Sequence, residues 1–258
     1  MLDFKKKVDI KPQEEVLVSQ CPSCSAYISH CYYMCDKATN KKSKWFSCSC
    51  GIVHNAQKPT KVYDIKYWTE HSQYKANKEA EYQYPVRIYS PVIEELIYGR
   101  RVLIVGRPNT YQEEAFAERG WVPTIIDKNT CFETKDNVIA SDFETYQFPE
   151  NPKFNLIWFY GSFECLANPI GSLELCKKLL AEDGIIFIAS PDTDFINTRS
   201  SSVFIHWKHD EHHVMWNKRA ISKHMESIGF NTILCRSNYE HRFPQWDDFH
   251  GIWQRRFF

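Results

Sequence analysis

The sequence predicts an α/β protein, a doubly wound and mostly parallel seven-stranded sheet with a small cysteine-bearing module ahead of it. Three observations lead there. From about residue 99 onward, short runs rich in Val, Ile and Phe alternate with helix-like stretches, the pattern of strands crossed over by helices. Six of the ten cysteines fall between Cys21 and Cys50. The 32 basic and 32 acidic side chains cancel overall, yet residues 1–90 carry a net charge of +5 and residues 91–258 a net charge of −5.

At 258 residues the chain has room for one large domain and a small module. A hydrophobic fraction of 43% supplies a packed core, and 25% charged residues match an ordinary globular composition. The zero net charge gives no global attraction to a polyanion. No apolar run reaches the roughly 20 residues of a membrane span. The start, Met1-Leu-Asp-Phe-Lys-Lys-Lys7, has charge without an apolar stretch behind it, so no secretory signal is expected. A cytoplasmic location and reduced thiols follow as expectations.

The elements divide the chain into residues 1–58, 59–98 and 99–258. In the first part, Cys21-Pro-Ser-Cys24 is a C-x2-C knuckle, and two thiolates at that spacing can turn onto one metal ion. Cys48-Ser-Cys50 is the expected second pair, with Gly51 suited to the tight turn after it. Cys31 and Cys35 at x3 spacing, and His54, are the competing ligands. Four sulfur ligands make a closed, structural zinc site with no position for a catalytic water. The segment has little apolar content of its own, so metal would supply its missing stability. The run Lys37–Lys44 reads as a solvated loop. Residues 59–98 hold Tyr63, Tyr67, Trp68, Tyr74, Tyr82 and Tyr84 among charges, either a packing linker or a lid that sends a tyrosine into a site. A helix is expected near 66–80, an extended piece between Pro85 and Pro91, and a helix over Val92–Tyr98 ended by Gly99.

In the third part, strands are expected at Arg101–Val105 before Gly106, Trp121–Asp127, Val138–Asp142, Phe154–Tyr160, Ile185–Ser190, Phe230–Cys235 and Phe249–Phe257. Helices are expected at Tyr111–Arg119 closed by Gly120, Pro169–Ala181 capped by Gly184, and Lys218–Ile228 stopped by Gly229. In such sheets ligands bind at the carboxyl ends of the strands. Gly106 and Asp127 lie 21 residues apart, the offset at which a strand-end acid accepts hydrogen bonds from ribose hydroxyls. Asp142, after the third strand, is placed to take an adenine amino group, with Phe143 against the ring. Strand-end acids also serve as helix caps.

These residues resemble a class I S-adenosylmethionine-dependent methyltransferase, with its Rossmann-like fold. Phe154-Asn-Leu-Ile-Trp158, then Phe163–Pro169, then Leu179–Asp192 follow the family's fourth strand, helix and fifth strand in order. A zinc ribbon, a Tyr/Trp-rich segment and this domain together are similar to methyltransferases of sugar and natural-product pathways. The resemblance implies S-adenosylmethionine as cofactor, held near Gly106, Asn109, Asp127, Asp142, Phe143 and Tyr160, and a structural Zn2+ on Cys21, Cys24, Cys48 and Cys50. The family's glycine-rich first loop is here Ile104-Val-Gly106-Arg-Pro-Asn-Thr110, keeping only the first glycine, with Asn109 and Thr110 able to hydrogen-bond the cofactor carboxylate. Glu164-Cys165 stands where the family has Glu-His.

Four histidines lie in Ile205–His213. They suit a polar rim loop, and His209, His212 and His213 can also converge on zinc. The resemblance implies a third role, because zinc-containing sugar carbon-methyltransferases place a Glu-His pair here for acid/base work. Glu211-His212 matches it, with His212 as general base and Glu211 orienting it. Substrate contacts would come from Tyr67, Tyr74, Glu164 and His213. Asp247 and Asp248 read as turn residues.

The expected function is methyl transfer to a small polar acceptor, a sugar, sugar nucleotide or related metabolite. The competing reading is a methyltransferase-fold scaffold without turnover, using the zinc ribbon as contact surface. Nucleic acid fits less well, since Tyr160-Gly-Ser-Phe163 replaces the Asn-Pro-Pro-aromatic loop of the family's nucleic-acid members.

Overall fold

The structure is a computed structural model. It describes residues 20–21, 24–28, 30–35, 41–59, 78–106, 111–128, 135–149, 153–198, 206–237 and 248–256. Two sheets organise the chain. The larger contains β4 (Arg101–Val105), β5 (Val122–Asp127), β6 (Val138–Ala140), β7 (Phe154–Tyr160), β8 (Leu180–Pro191), β10 (Phe230–Ser237) and β11 (Asp248–Arg255), in the order β10-β11-β8-β7-β4-β5-β6. Pairing is parallel from β8 through β7, β4 and β5 to β6, while β11 runs antiparallel to both its neighbours. This is the mostly parallel seven-stranded α/β sheet expected from the sequence.

The central strands are apolar on both faces because helices cover both. One face carries α1 (Lys78–Leu96) and α2 (Tyr111–Glu118), the other α3 (Pro169–Leu179) and α5 (Lys218–Ser227), with a short α4 (Asp194–Thr198) after β8. Trp158 of β7 stacks on Phe187 of β8 with ring centroids 3.7 Å apart. Asn168 caps α3 through the Gly171 N–H, and Asn217 caps α5 through the Ala220 N–H.

Beyond shifts of a few residues at strand ends, two readings differ from the expectation. The segment around Pro85 and Pro91 is not extended, because both prolines lie inside α1. Each costs about 3 kcal/mol of helix stability. The helix buries Val86, Tyr89 and Ile93, with Ile97 just past its end, against the sheet. At roughly 1.5–3 kcal/mol per such side chain, burial is large enough to offset the two prolines. Gly184 does not cap a helix either. Leu180 ends α3, β8 begins there, and Gly184 sits in an irregular stretch where a Cβ would lie 2.9 Å from the Leu180 Cβ and 3.0 Å from the Ala181 oxygen.

The second sheet has four strands in the order β1-β2-β3-β9, from β1 (His30–Cys35), β2 (Lys42–Ser47), β3 (Val53–Asn55) and β9 (Val214–Met215). Its first three strands belong to the cysteine segment, and its fourth comes from the stretch after the histidines. Trp45, Val53, Phe195, Trp207 and Met215 form the core between the two. Among the described residues, no helix is long and apolar enough to cross a membrane.

Candidate active site and metal centre

β4 ends at Gly106, whose φ of +80° suits glycine, and a Cβ there would stand 2.8 Å from the Ser162 Cβ. Ser162 donates to the Val105 carbonyl at 2.6 Å, fastening the turn after β7 against the end of β4. Asp127 closes β5 and is buried. Asp142 follows β6, accepts the Glu144 N–H at 3.0 Å and faces Lys128 at 3.7 Å. Tyr160 ends β7 and is half-buried. Gly106, Asp127, Asp142 and Tyr160 therefore stand at the carboxyl ends of adjacent strands. Phe143 directly follows Asp142. It is buried in the core, with ring centroids 6.1 Å from Phe148 and 5.7 Å from Phe159. Asn109, Tyr67 and Tyr74 lie outside the described residues.

The next strand ends bring Glu164 and His212 together. Glu164, in a single 3-10 turn (Phe163–Cys165) after β7, is 3% exposed and accepts from the Ser190 hydroxyl of β8 at 3.0 Å. His212 is also 3% exposed, and its Nε2 lies 3.9 Å from Glu164 Oε1. Its Nδ1 is 3.0 Å from the His206 carbonyl. A carbonyl only accepts, so Nδ1 carries the proton and the Nε2 lone pair faces the Glu164 carboxyl group. Burial, then the Lys208 and His206 charges, hold His212 well below the usual histidine range. Burial likewise raises Glu164 above the usual carboxylate range. The ring is thus a neutral base with a fixed tautomer.

Glu211 does not take the orienting role expected of it. Its carboxylate pairs with Lys208 at 3.4 Å, three residues back in a turn, and the carboxyl group set against His212 is that of Glu164. His213 donates its N–H to the Glu164 carbonyl at 2.8 Å, which joins the histidine segment to the turn after β7. Burial lowers the basicity of its ring.

Among the described residues, the potential metal ligands that converge are Cys21, Cys24, Cys48 and Cys50, with sulfurs all within 4.8 Å of one another. His209, His212 and His213 do not form such a group. Cys21 Sγ is 3.5 Å from Cys50 Sγ, and Cys24 Sγ is 3.5 Å from Cys48 Sγ. Tetrahedral zinc with bonds of about 2.3 Å separates its sulfurs by roughly 3.8 Å, so the donor set fits the ion in number, type and spread. Gly51 follows with φ +99°. Cys31 and His54 stand outside the cluster, with the His54 ring against Phe46. The Cys35 side chain is not described.

Sequence reasoning missed a second polar network on the α1 face. Arg236 donates to Tyr89 Oη at 3.1 Å, Tyr89 Oη is 2.8 Å from His250 Nδ1, and His250 Nε2 is 3.0 Å from Asp248. Asp248 therefore opens β11 as a hydrogen-bond acceptor rather than sitting in a turn. Only the alternation Asp248-x-His250 hinted at a shared strand face.

The sheet order and the position of the strand-end residues define a methyltransferase fold. It is shared with the plantazolicin methyltransferase BpumL in complex with SAH (13% identity, TM-score 0.54, 74% of this chain and 93% of that one). It is shared also with a SAM dependent methyltransferase from Archaeoglobus fulgidus (16%, 0.55, 73% and 100%). A third is the Burkholderia thailandensis 1,6-didemethyltoxoflavin-N1-methyltransferase (11%, 0.54, 82% and 98%). A family model described as a methyltransferase domain matches residues 58–234, well over half of the sequence, and the chain belongs to that family. No curated protein matches the sequence.

Proposed function

We propose that the protein transfers the methyl group of S-adenosylmethionine to a small polar acceptor, a sugar, sugar nucleotide or related metabolite, with His212 as general base and a structural zinc ion on Cys21, Cys24, Cys48 and Cys50. The observation that carries the reading is the neutral His212 with its Nε2 lone pair toward Glu164, across β4 from the acids that suit a nucleoside. Solved relatives of the same fold include complexes with S-adenosylhomocysteine, and one of them acts on a natural product.

Asp127 would accept from the ribose hydroxyls and Asp142 from the adenine amino group, while Gly106 keeps side-chain bulk away from the end of β4. The cofactor brings an already activated methyl group on a positive sulfur. The chain therefore has two tasks, to align the acceptor atom with the methyl carbon and to remove its proton. His212 takes that proton at Nε2, and the carboxyl group of Glu164 stabilises the resulting charge. In such a transfer the acceptor–methyl bond would form as the sulfur–methyl bond breaks, with S-adenosylhomocysteine as the product. Carbon and oxygen acceptors require the base alike.

Methyl-labelled cofactor offered with a panel of sugars and sugar nucleotides tests the reading. The wild type should label an acceptor that His212→Ala does not, while both bind S-adenosylhomocysteine equally. Equal labelling by both would remove His212 from the mechanism. Cofactor binding by the wild type without labelling of any small molecule would favour the scaffold reading.

A further inference from the structure

The metal knuckle and the histidine segment are joined by directed hydrogen bonds. Asn55, at the end of β3, donates through Nδ2 to the carbonyls of His209 at 2.7 Å and His212 at 3.0 Å. Its backbone N–H donates to the His213 carbonyl at 2.8 Å. The ties continue on both flanks of the segment. Before it, Thr193 donates its hydroxyl to the Gly51 carbonyl at 2.7 Å, directly after Cys50. After it, Asn217 packs so closely on Gly51 that a Cβ there would lie 2.2 Å from its Nδ2. Asn217 also donates to Asp194 at 2.9 Å, linking the two flanks. From the opposite side, His213 is held by the Glu164 carbonyl. His212 thus sits between the knuckle and the turn that carries Glu164.

We infer that Asn55 is a positioning residue that couples the metal state of the four-cysteine site to the placement of His212. The inference rests on the zinc and general-base assignments above. β3 has three residues and pairs with β9 at two positions, too little to hold together alone. A segment of this size depends on its metal for folding. Metal on the cysteines fixes the knuckle, the knuckle fixes β3, and Asn55 then holds the carbonyls on both sides of His212. Loss of the metal releases the base without touching Gly106, Asp127 or Asp142.

Asn55→Asp tests this, since it keeps the shape of the side chain and removes both Nδ2–H donations. Amide hydrogen exchange over residues 206–215 should quicken at least tenfold, the scale of losing hydrogen bonds to buried carbonyls. The His212 ring 15N signal should move. Zinc content, S-adenosylhomocysteine affinity and exchange in β8 should stay at wild-type values. Chelating zinc from the wild type should produce the same exchange pattern, and this arm needs no variant. Thr193→Val, a milder cut of the Gly51 tie, should shift the segment in the same direction by less. A segment that stays protected, with an unmoved His212 signal, in either Asn55→Asp or the chelated protein would overturn the inference. So would a metal-free wild type with the segment protected. A wild type that fails to bind S-adenosylhomocysteine while showing these effects would remove the methyltransferase reading and leave the coupling standing.

Discussion

His212 and Asp192 show how burial sets the chemistry of single residues at the carboxyl edge of the sheet. His212 is held neutral, so its folded-state pKa lies below its unfolded value of about 6.5. Its contribution to stability is present above that value and is lost as pH falls below it, because the unfolded chain then binds the extra proton. Denaturant unfolding between pH 7 and 5 should show stability falling in the wild type and falling less in His212→Gln. Asp192 has the opposite sign. It is fully buried after β8, bonded by the Ser237 hydroxyl and the Asp194 N–H, and burial pushes its pKa up to about 6. Its protonated form suits the fold, so stability is present at low pH and lost as pH rises through about 6. Asp192→Asn should therefore gain on the order of 2–3 kcal/mol at pH 7.5 and almost nothing at about pH 3, below the unfolded carboxyl's pKa. An equal gain at both would contradict the assignment. The pairing of Glu211 with His212 looked convincing because the two are adjacent, yet neighbours in a turn point apart. Lys208, three residues back, was the better partner for Glu211, and a carboxyl group 48 residues upstream faces the ring.

At the scale of elements, strands and caps were legible where local chemistry agrees with the fold. β4, β5 and β7 are mostly apolar, Asn168 and Asn217 cap helices, and Gly120 and Gly229 close helices with positive φ. α1 was misread because prolines dominate any local reading, while the apolar face that overrides them shows only once the sheet is in place. Asn55 gave no signal at all, since its partners lie more than 150 residues away. Gly51 makes the knuckle a testable element. Its φ of +99° and the Asn217 side chain both oppose a Cβ. Gly51→Ala should cost about 1–3 kcal/mol and weaken zinc retention, read by metal analysis after mild chelation. Wild-type retention would show that the knuckle tolerates repacking.

For the whole molecule, the neutral total charge conceals a basic cysteine module and an acidic α/β domain. The sheet carrying the cysteines is completed by a strand from the far end of the chain, so the two share structure as well as packing. The four-cysteine cluster predicts about one zinc per chain, measured by elemental analysis of protein purified without added metal. Cys24→Ser should lose it. A metal-free protein with an intact small sheet would remove the zinc from the account. The cofactor assignment carries the most weight, because its first loop keeps a single glycine where the family usually has three. Calorimetry with S-adenosylmethionine and S-adenosylhomocysteine tests it most directly. One saturable site per chain, weakened at least tenfold in Asp127→Ala through loss of a charged hydrogen-bond acceptor, is the predicted result. No heat of binding to either ligand at millimolar concentration would contradict the methyltransferase account.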